Sequence, residues 1–415
     1  MVSLDVGWVR EQFPALRQEI NGQSVVFFDG PGGTQVPEST IEAMSDYLLK
    51  SNANAHGAFA TSIRTDALVT SARAAVADLL GCDRDEVVFG ANMTTLTFAM
   101  SRAIGRELQP GDEIVVTTLD HYANVSSWYA LEEQGVVIRV VNIHVEDCTL
   151  DMEELERQIN ERTRLVAIGY ASNAVGTIND VAAVVRLARA VGAMVFVDAV
   201  HYVAHGSIDV RSLDCDFLVC SAYKFFGPHV GILYGKREHL TRLRPYKPKP
   251  APEEVPWRWE TGTQNYEGLA GLIATINYFA ELGHRVTPTD NRRAAIVTAM
   301  TAIQDYEREL SSLLIEKLSQ IPGLTVFGIT DSTRMAWRTP TVGVRLNGYT
   351  PYTVAKALGD RGIFTWNGNF YALGLTERLG IESSGGLVRI GLVHYNTVEE
   401  IHRLLDALNE LAMNL

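Results

Sequence analysis

The stretch DFLVCSAYKFFGP, residues 216–228, joins a short apolar run to a single lysine. The run is typical of a buried strand, and Lys224 follows it directly among aromatic neighbours. Similar runs alternate with helical patterns between about Glu86 and Lys236: EVVFG, EIVVTT, GVVIRVVNI, RLVAIGY, AMVFVDA and GILYGK. This alternation predicts an α/β fold in which a mainly parallel, seven-stranded sheet carries helices on its faces.

The chain has 415 residues, which is long for one core and favours a large domain with a smaller partner. Residues 20–280 are predicted to form a large α/β domain, and residues 281–415 together with 1–19 a small α+β domain. The Pro-rich segment 244–256 is predicted to be an exposed, semi-rigid crossing. Beyond it, helical patterns over 294–320, near 353–360 and after 396 enclose the strand-like runs TPTVGVRL, GIFTW and GLVRIGLV.

Composition excludes several classes of function. A content of 47% hydrophobic and 20% charged residues is typical of a globular protein, and the net charge of -13 argues against a nucleic-acid surface. No apolar run approaches the ~20 residues of a membrane helix, and residues 1–19 lack the regions of a signal peptide. We therefore expect a cytoplasmic protein that binds neither membrane nor nucleic acid. The sequence contains four cysteines, at Cys82, Cys148, Cys215 and Cys220. Their spacing predicts neither a disulfide framework nor a metal site.

Two strand ends carry charged residues with a chemical use. In parallel sheets, ligands collect beyond the carboxyl ends of the strands. A desolvated lysine such as Lys224 has a nucleophilic neutral form, which can form an imine with a carbonyl compound, although a lysine snorkelling from a strand end remains an alternative. Asp198, after the strand MVFV, could face a cation such as a protonated pyridine nitrogen, or simply cap the next turn.

Three further strand ends carry polar groups. The strand EVVFG leads through Met93 and Thr94 into a helix, whose first amides and hydroxyl could bind phosphate, although Thr94 could equally be an N-cap. The strand EIVVTT leads to His121, whose imidazole could lie flat on an aromatic ring or be an ordinary surface or core residue. Asn173, after RLVAIGY, could donate from its amide.

Taken together, these positions resemble the class V aminotransferase family. The similarity covers nearly the whole chain, from FPAL and FFDGPGGT onward, and is closest to the cysteine desulfurase and selenocysteine lyase branch in DHYANVSSW, SNAVGT, SAYKFFGP, ETGTQN and VRIGLVHYNT. It implies a pyridoxal 5'-phosphate (PLP) enzyme of fold type I that acts as a homodimer with a shared active site. The resemblance depends on an ordered set: Thr94, His121, Asn173, Asp198, Ser221 with Lys224, Gly262 with Thr263, and Arg389.

The resemblance also implies roles toward the cofactor. Lys224 would hold PLP as a Schiff base and move protons, Asp198 would pair with the pyridine nitrogen, and His121 would stack on the ring. These three are the predicted catalytic residues. Asn173 and His201 would contact the phenolic oxygen.

Further roles concern the phosphate and the substrate. Thr94 with Met93 and its neighbouring amides, together with Ser221, would hold the phosphate, and Thr263 would reach it from the second subunit. Arg389 would bind the substrate carboxylate, for which a bidentate guanidinium is well suited. His56 would border the substrate pocket, and Asn173 would contribute to it as well.

The chain departs from the branch on the substrate side. Tyr371 stands where desulfurases carry the cysteine that accepts sulfur, and a phenol cannot form a persulfide. Trp366 stands in place of an arginine that helps to bind the carboxylate. His201 replaces a glutamine, and Tyr223, a predicted cofactor contact, replaces a histidine, both with a hydrogen-bonding group retained.

These features predict a carbon–sulfur or carbon–selenium lyase that acts by β-elimination on a small, cysteine-derived amino acid. An aminotransferase of class V, or a desulfurase that uses an external thiol acceptor, remains an alternative. A non-catalytic pyridoxal-binding protein is a third interpretation, and it predicts no turnover of any amino acid.

Overall fold

The computed structural model describes residues 4–20 and 22–413. The strands are β1 Glu19–Ile20, β2 Gln23–Ser24, β3 Val26–Phe27, β4 Val87–Gly90, β5 Glu113–Thr117, β6 Val137–Val141, β7 Thr163–Gly169, β8 Met194–Asp198, β9 Phe217–Ser221, β10 Gly231–Gly235, β11 Leu324–Phe327, β12 Thr341–Leu346, β13 Ile363–Phe364, β14 Trp366–Gly368 and β15 Leu387–Gly391.

The α-helices occupy much of the remaining described chain. They are α1 Val6–Glu11, α2 Glu38–Lys50, α3 Ala60–Leu80, α4 Met93–Gly105, α5 Ala123–Tyr129, α6 Met152–Gln158, α7 Val181–Ala190, α8 Val210–Leu213, α9 Arg237–Arg242, α10 Tyr266–Val286, α11 Arg292–Leu318, α12 Pro351–Gly359, α13 Leu373–Arg378 and α14 Val398–Met413. Among the described residues, no helix is both long enough and apolar enough to cross a bilayer.

The main sheet has seven strands in the order β4-β10-β9-β8-β7-β5-β6. Only β10 is antiparallel to its neighbours, so the prediction of a mainly parallel, seven-stranded α/β sheet is confirmed. Successive residues of a strand point to opposite faces, and in β7 Val166 and Ile168 join one apolar core while Leu165 and Ala167 join another. Both faces are therefore buried, which explains the nearly continuous apolar runs in the sequence.

A second, antiparallel sheet has the order β11-β12-β15-β14 and packs with α11 and α14 around a separate core. The run GIFTW is divided: β13 pairs with β3, whereas β14 pairs with β15. The N-terminal part of the described chain contributes to two cores. Val9 and Phe13 pack in the core of the main sheet, whereas Val26 and Phe28 pack in the core of the second sheet. The division of the chain into domains stays a prediction.

Candidate active site

A cavity of about 440 Å³ lies at the carboxyl edge of the main sheet. Because β4, β5, β7, β8 and β9 run in the same direction, the residues that follow them meet at this edge. The cavity brings together every residue predicted to contact the cofactor except Thr263, namely Met93, Thr94, His121, Asn173, Asp198, His201, Ser221, Tyr223 and Lys224. We name it the Lys224 cavity.

Lys224 ends a 3-10 turn that directly follows β9. Desolvation lowers the pKa of its amine to about 7, and the nearby Arg389 cation adds to this decrease while Asp198 opposes it. The Nζ atom donates to the carbonyl oxygen of Pro31 and lies 4.9 Å from the centre of the Tyr223 ring. A large fraction of the amine is therefore neutral near pH 7, as a nucleophile requires.

Asp198 is the last residue of β8 and is buried at the floor of the cavity. Its Oδ1 accepts a hydrogen bond from the backbone N–H of Val200 at 2.9 Å. Desolvation raises the pKa of the carboxyl to about 6, although this bond and the Lys224 cation both lower it. A carboxylate held in this way is stabilised by any cationic group that enters the cavity.

The start of α4 forms one wall of the cavity. Asn92 caps the helix by accepting from the backbone N–H of Thr95 at 2.9 Å, so the alternative interpretation of Thr94 as the N-cap is wrong. The backbone N–H of Met93 donates to Ser221 Oγ at 2.9 Å, which fixes the helix start to the end of β9. A helix N-terminus with a neighbouring hydroxyl suits an anion.

His121 has one face covered by the ring of Tyr371, with 5.2 Å between ring centres and an interplanar angle of 21°. Its Nδ1 accepts from the backbone N–H of Ala123 at 3.1 Å, which assigns the proton of the neutral ring to Nε2. Desolvation lowers the pKa of His121 to about 4, with Lys224 and Arg389 contributing. The imidazole is therefore an uncharged aromatic ring at neutral pH.

Arg389 lies beside Asn173 and does not itself line the cavity. Its Nη1 donates to the carbonyl oxygen of Asn173 at 2.9 Å, while Asn173 Nδ2 donates to the carbonyl oxygen of Phe370 at 2.9 Å. Within the described chain, Arg389 Nε and Asn173 Oδ1 are buried without a hydrogen-bond partner. Such groups are rare in native proteins and point to a ligand, which for the Nε edge of a guanidinium is a carboxylate.

His201 is buried at the edge of the cavity, and its Nε2 lies 3.0 Å from Thr339 Oγ1. Desolvation lowers its pKa well below the usual value, and the neighbouring His205 adds to the effect. Since Nε2 is engaged by Thr339, Nδ1 is the ring nitrogen that is left for a bound molecule.

Two predicted site residues lie outside the Lys224 cavity. His56 and Thr263 line a different cavity of about 800 Å³, together with Asp66 and Glu260. His56 Nδ1 lies 3.2 Å from the carboxylate of Asp66. Within one chain, therefore, neither residue reaches the Lys224 cavity.

Sequence reasoning missed three residues of this site. Pro31 accepts from the Lys224 amine, and Asp120 accepts from the backbone N–H of Gly169 at 2.8 Å and ties the ends of β5 and β7 together. Desolvation raises the pKa of the Asp29 carboxyl to about 6, although the nearby Arg389 cation lowers it. Asp120 directly precedes His121 at a strand end, which was a usable signal. Asp29 and Pro31 lie in the segment FFDGPGGT, which indicated the resemblance but not the partners of these two residues.

These groups fit PLP. The amine of Lys224 suits its aldehyde, the carboxylate of Asp198 suits its protonated ring nitrogen, and the start of α4 suits its phosphate. Asn173 Oδ1, which has no hydrogen-bond partner among the described residues, provides a further polar contact inside the cavity. The fold and the site together define a PLP-dependent enzyme of fold type I.

Comparison with known proteins agrees with this class. The family model for class-V aminotransferases matches residues 26–404, and the chain belongs to that family. A cysteine desulfurase of Pectobacterium atrosepticum is 32% identical over 427 residues, covering 99% of this chain and 98% of the relative. The aminotransferase-like protein FGM3 of Gibberella zeae is 32% identical over 417 residues, covering 98% of each chain.

Solved structures show the same similarity. The apo cysteine desulfurase of Thermococcus onnurineus NA1 superposes with a TM-score of 0.89 at 27% identity and covers 100% of both chains. The cysteine desulfurase CsdA of Escherichia coli gives a TM-score of 0.84 at 27% identity, covering 99% of this chain and 98% of the other. The predictions of a class V, PLP-dependent enzyme of fold type I are thereby confirmed.

Proposed function

We propose that this protein is a carbon–sulfur lyase that removes the sulfur substituent of a cysteine-derived amino acid by β-elimination. The observation that carries the proposal is the absence of a usable thiol at the site, since none of the four cysteines lines the Lys224 cavity. Burial raises the pKa of Cys148 to about 11 and that of Cys215 to about 12, and it also raises the pKa values of Cys82 and Cys220. With no thiolate to accept it, sulfur leaves as a free thiol.

The proposed roles of the residues follow from their positions. Lys224 would hold the cofactor covalently, Asp198 would keep its ring nitrogen protonated, and the start of α4 would hold its phosphate. When bound, PLP draws electrons from the bonds at the substrate Cα, which makes the Cα proton removable. The Lys224 amine, with its lowered pKa, would accept this proton, and Arg389 would orient the substrate through its carboxylate.

We also propose that the active form is a homodimer with a shared active site. Apolar side chains on α2 and α3 are exposed in the single chain, including Leu49 at 81% and Ile63 at 59%. Both helices pack against α10, and exposed apolar groups on such helices are typical of an interface. A partner bound there would explain why Thr263 and His56 lie away from their own chain's cavity, since each would complete the cavity of the other subunit. The four unpaired thiols support a reducing, cytoplasmic location.

The test is the product balance of the purified, PLP-loaded protein. We expect cysteine-derived substrates to yield pyruvate, ammonium and thiol in equal amounts without any added α-keto acid. Lys224→Ala, which loses both the covalent attachment and the proton acceptor, should lower this rate at least about a thousandfold. Turnover that requires an α-keto acid would indicate an aminotransferase, and release of alanine with sulfur passed to an added thiol would indicate a desulfurase; either result contradicts the lyase.

A further inference from the structure

Three aromatic side chains from β14 and the loop after it lie next to Arg389 and His121. We name Trp366, Phe370 and Tyr371 the aromatic rim. Trp366 pairs with Arg389 across β14 and β15, so their side chains lie on the same face of the sheet. The Phe370 ring lies 4.2 Å from the Arg389 guanidinium carbon, and the Tyr371 ring stacks on His121.

The rim also reaches the segment that contacts Lys224. A Cβ atom at Gly32 would lie 2.2 Å from Trp366 Nε1, so the indole rests directly on this glycine. The preceding residue, Pro31, lines the Lys224 cavity and accepts from the Lys224 amine. A substrate whose carboxylate binds Arg389 therefore has aromatic rings beside it.

Specific hydrogen bonds hold the loop that carries the rim. Phe370 and Tyr371 both have left-handed backbones, with φ values of 56° and 62°, which is costly for residues with large side chains. The carbonyl oxygen of Tyr371 accepts from the backbone N–H of Tyr122 at 2.7 Å, and that of Phe370 accepts from Asn173. Asn369 anchors the loop further by donating to Glu382 at 2.9 Å. Consecutive strained residues held by specific bonds are typical of functional sites.

The rim nevertheless leaves aromatic surface uncovered. In the single chain, Trp366 is 49% exposed and Tyr371 is 71% exposed, although Trp366 pairs with Arg389 and Tyr371 stacks on His121. Large aromatic groups that are fixed in place and still exposed provide binding surface at low entropic cost, and they favour ligands that carry aromatic or extended apolar groups.

We propose that the aromatic rim selects cysteine S-conjugates with an aromatic or extended apolar group on sulfur over small cysteine derivatives. This inference rests on the proposed lyase function and names its substrate class. In the net reaction, R–S–CH2–CH(NH3+)–COO– and water give R–SH, pyruvate and ammonium. The Cβ–S bond breaks with its electron pair on sulfur, the thiolate takes a proton, and no external oxidant or reductant is needed.

The test compares S-benzyl-L-cysteine with S-ethyl-L-cysteine. Phenylmethanethiol is the more acidic of the two released thiols, but the leaving groups are the same in every variant, so a change of the benzyl-to-ethyl ratio between wild type and rim variants reports the rim. We expect the wild-type kcat/KM to be at least about tenfold higher for the benzyl compound, because its ring is buried against aromatic surfaces. Trp366→Ala and Tyr371→Ala should each lower this benzyl-to-ethyl ratio severalfold, whatever they do to the overall rate. Tyr352→Ala is the matched control, because Tyr352 on α12 is 64% exposed and lies outside the rim. It should leave the ratio unchanged.

A binding measurement separates this inference from the lyase proposal. The acids 3-(benzylthio)propanoate and 3-(ethylthio)propanoate lack the amino group and cannot react. Both carry the same carboxylate, so the ratio of their dissociation constants from the holoenzyme reports the group on sulfur. We expect the benzyl acid to bind at least about tenfold more tightly, and the two rim variants to lose that preference. Cleavage of both substrates with a ratio near one, or equal binding of both acids, overturns the inference and leaves the lyase intact. Absence of cleavage with a binding preference that depends on the rim overturns the lyase instead.

Discussion

The surroundings of Lys224 lower the pKa of its amine and so increase its reactivity near neutral pH. Desolvation and the Arg389 cation lower the pKa of its amine to about 7 from an ordinary value of 10.5. A lowered lysine pKa means that the neutral amine increases as the pH rises through 7 and then stays constant. Capture of PLP by the apoprotein should follow this titration, with a half-maximal rate near pH 7, measured by stopped-flow absorbance between pH 5.5 and 9.5. A rate that continues to rise toward pH 10 would mean that the amine is not perturbed.

The burial of Asp198 affects the stability of the apoprotein. Its pKa is raised from 3.8 to about 6, so its contribution to stability is full below about pH 3.8 and is lost as the pH rises through 6. At pH 7.5 the buried carboxylate costs up to about 3 kcal/mol.

Asp198→Asn should therefore increase the free energy of unfolding of the apoprotein at pH 7.5 and have a smaller effect at pH 5. The same change should weaken PLP binding, since it removes the charge that faces the ring nitrogen. Denaturant unfolding of both apoproteins at the two pH values provides the measurement. An apoprotein that is equally destabilised at both values would show that Asp198 has a structural role instead.

Residues at strand ends could be predicted from the sequence, because each apolar run ends in a polar residue that local pattern identifies. Lys224, Asp198 and His121 are of this kind, and they meet in one cavity. The contact between Pro31 and Lys224 could not be predicted from local pattern, because the two residues are 193 positions apart in the sequence. The position of Arg389 followed from resemblance, but the Phe370 ring over its guanidinium depends on a left-handed loop that no local pattern indicates.

At the scale of secondary structure, the start of α4 depends on a close approach to β10. A Cβ atom at Gly231 would lie 2.5 to 2.7 Å from backbone atoms of Asn92, the residue that caps this helix. Gly231→Ala should push the helix start away from the cavity, destabilise the fold by about 1–3 kcal/mol and weaken PLP binding.

Gly359→Ala is the control for this change, because no described atom outside the neighbouring backbone of its own helix lies within 4 Å of the added Cβ. It should leave PLP affinity unaltered and raise stability by at most about 1 kcal/mol, because alanine is the better helix former. Calorimetric titration with PLP and thermal unfolding of both variants make the comparison. Wild-type PLP affinity in Gly231→Ala would show that the start of α4 does not hold the phosphate.

The period and length of the apolar runs predicted the strands of the main sheet, because strands buried on both faces require continuous apolar sequence. The same reasoning treated GIFTW as one strand, whereas Ile363 and Trp366 belong to different sheets. A short apolar run carries no information about its partner strand, and here the partners β3 and β15 lie far apart in sequence.

At the scale of the whole molecule, the proposed shared site can be tested by mixing subunits. Lys224→Ala removes the amine from one cavity, and Thr263→Glu would place a negative charge against the phosphate of the other subunit's cavity. Each variant alone should be nearly inactive. If they are refolded together in equal amounts, half of the dimers should contain one intact site, which restores about a quarter of the wild-type activity. Absence of recovery despite dimers in sedimentation would place Thr263 outside the partner's site.

Reduction with borohydride followed by peptide mass spectrometry identifies the lysine that carries the cofactor, which we propose to be Lys224. We expect one reduced PLP adduct, located on Lys224, which is absent from Lys224→Ala and present in the control Lys356→Ala, where an exposed surface lysine is removed. An adduct on a different lysine in the wild-type protein, or full retention of the adduct by Lys224→Ala, would contradict the account.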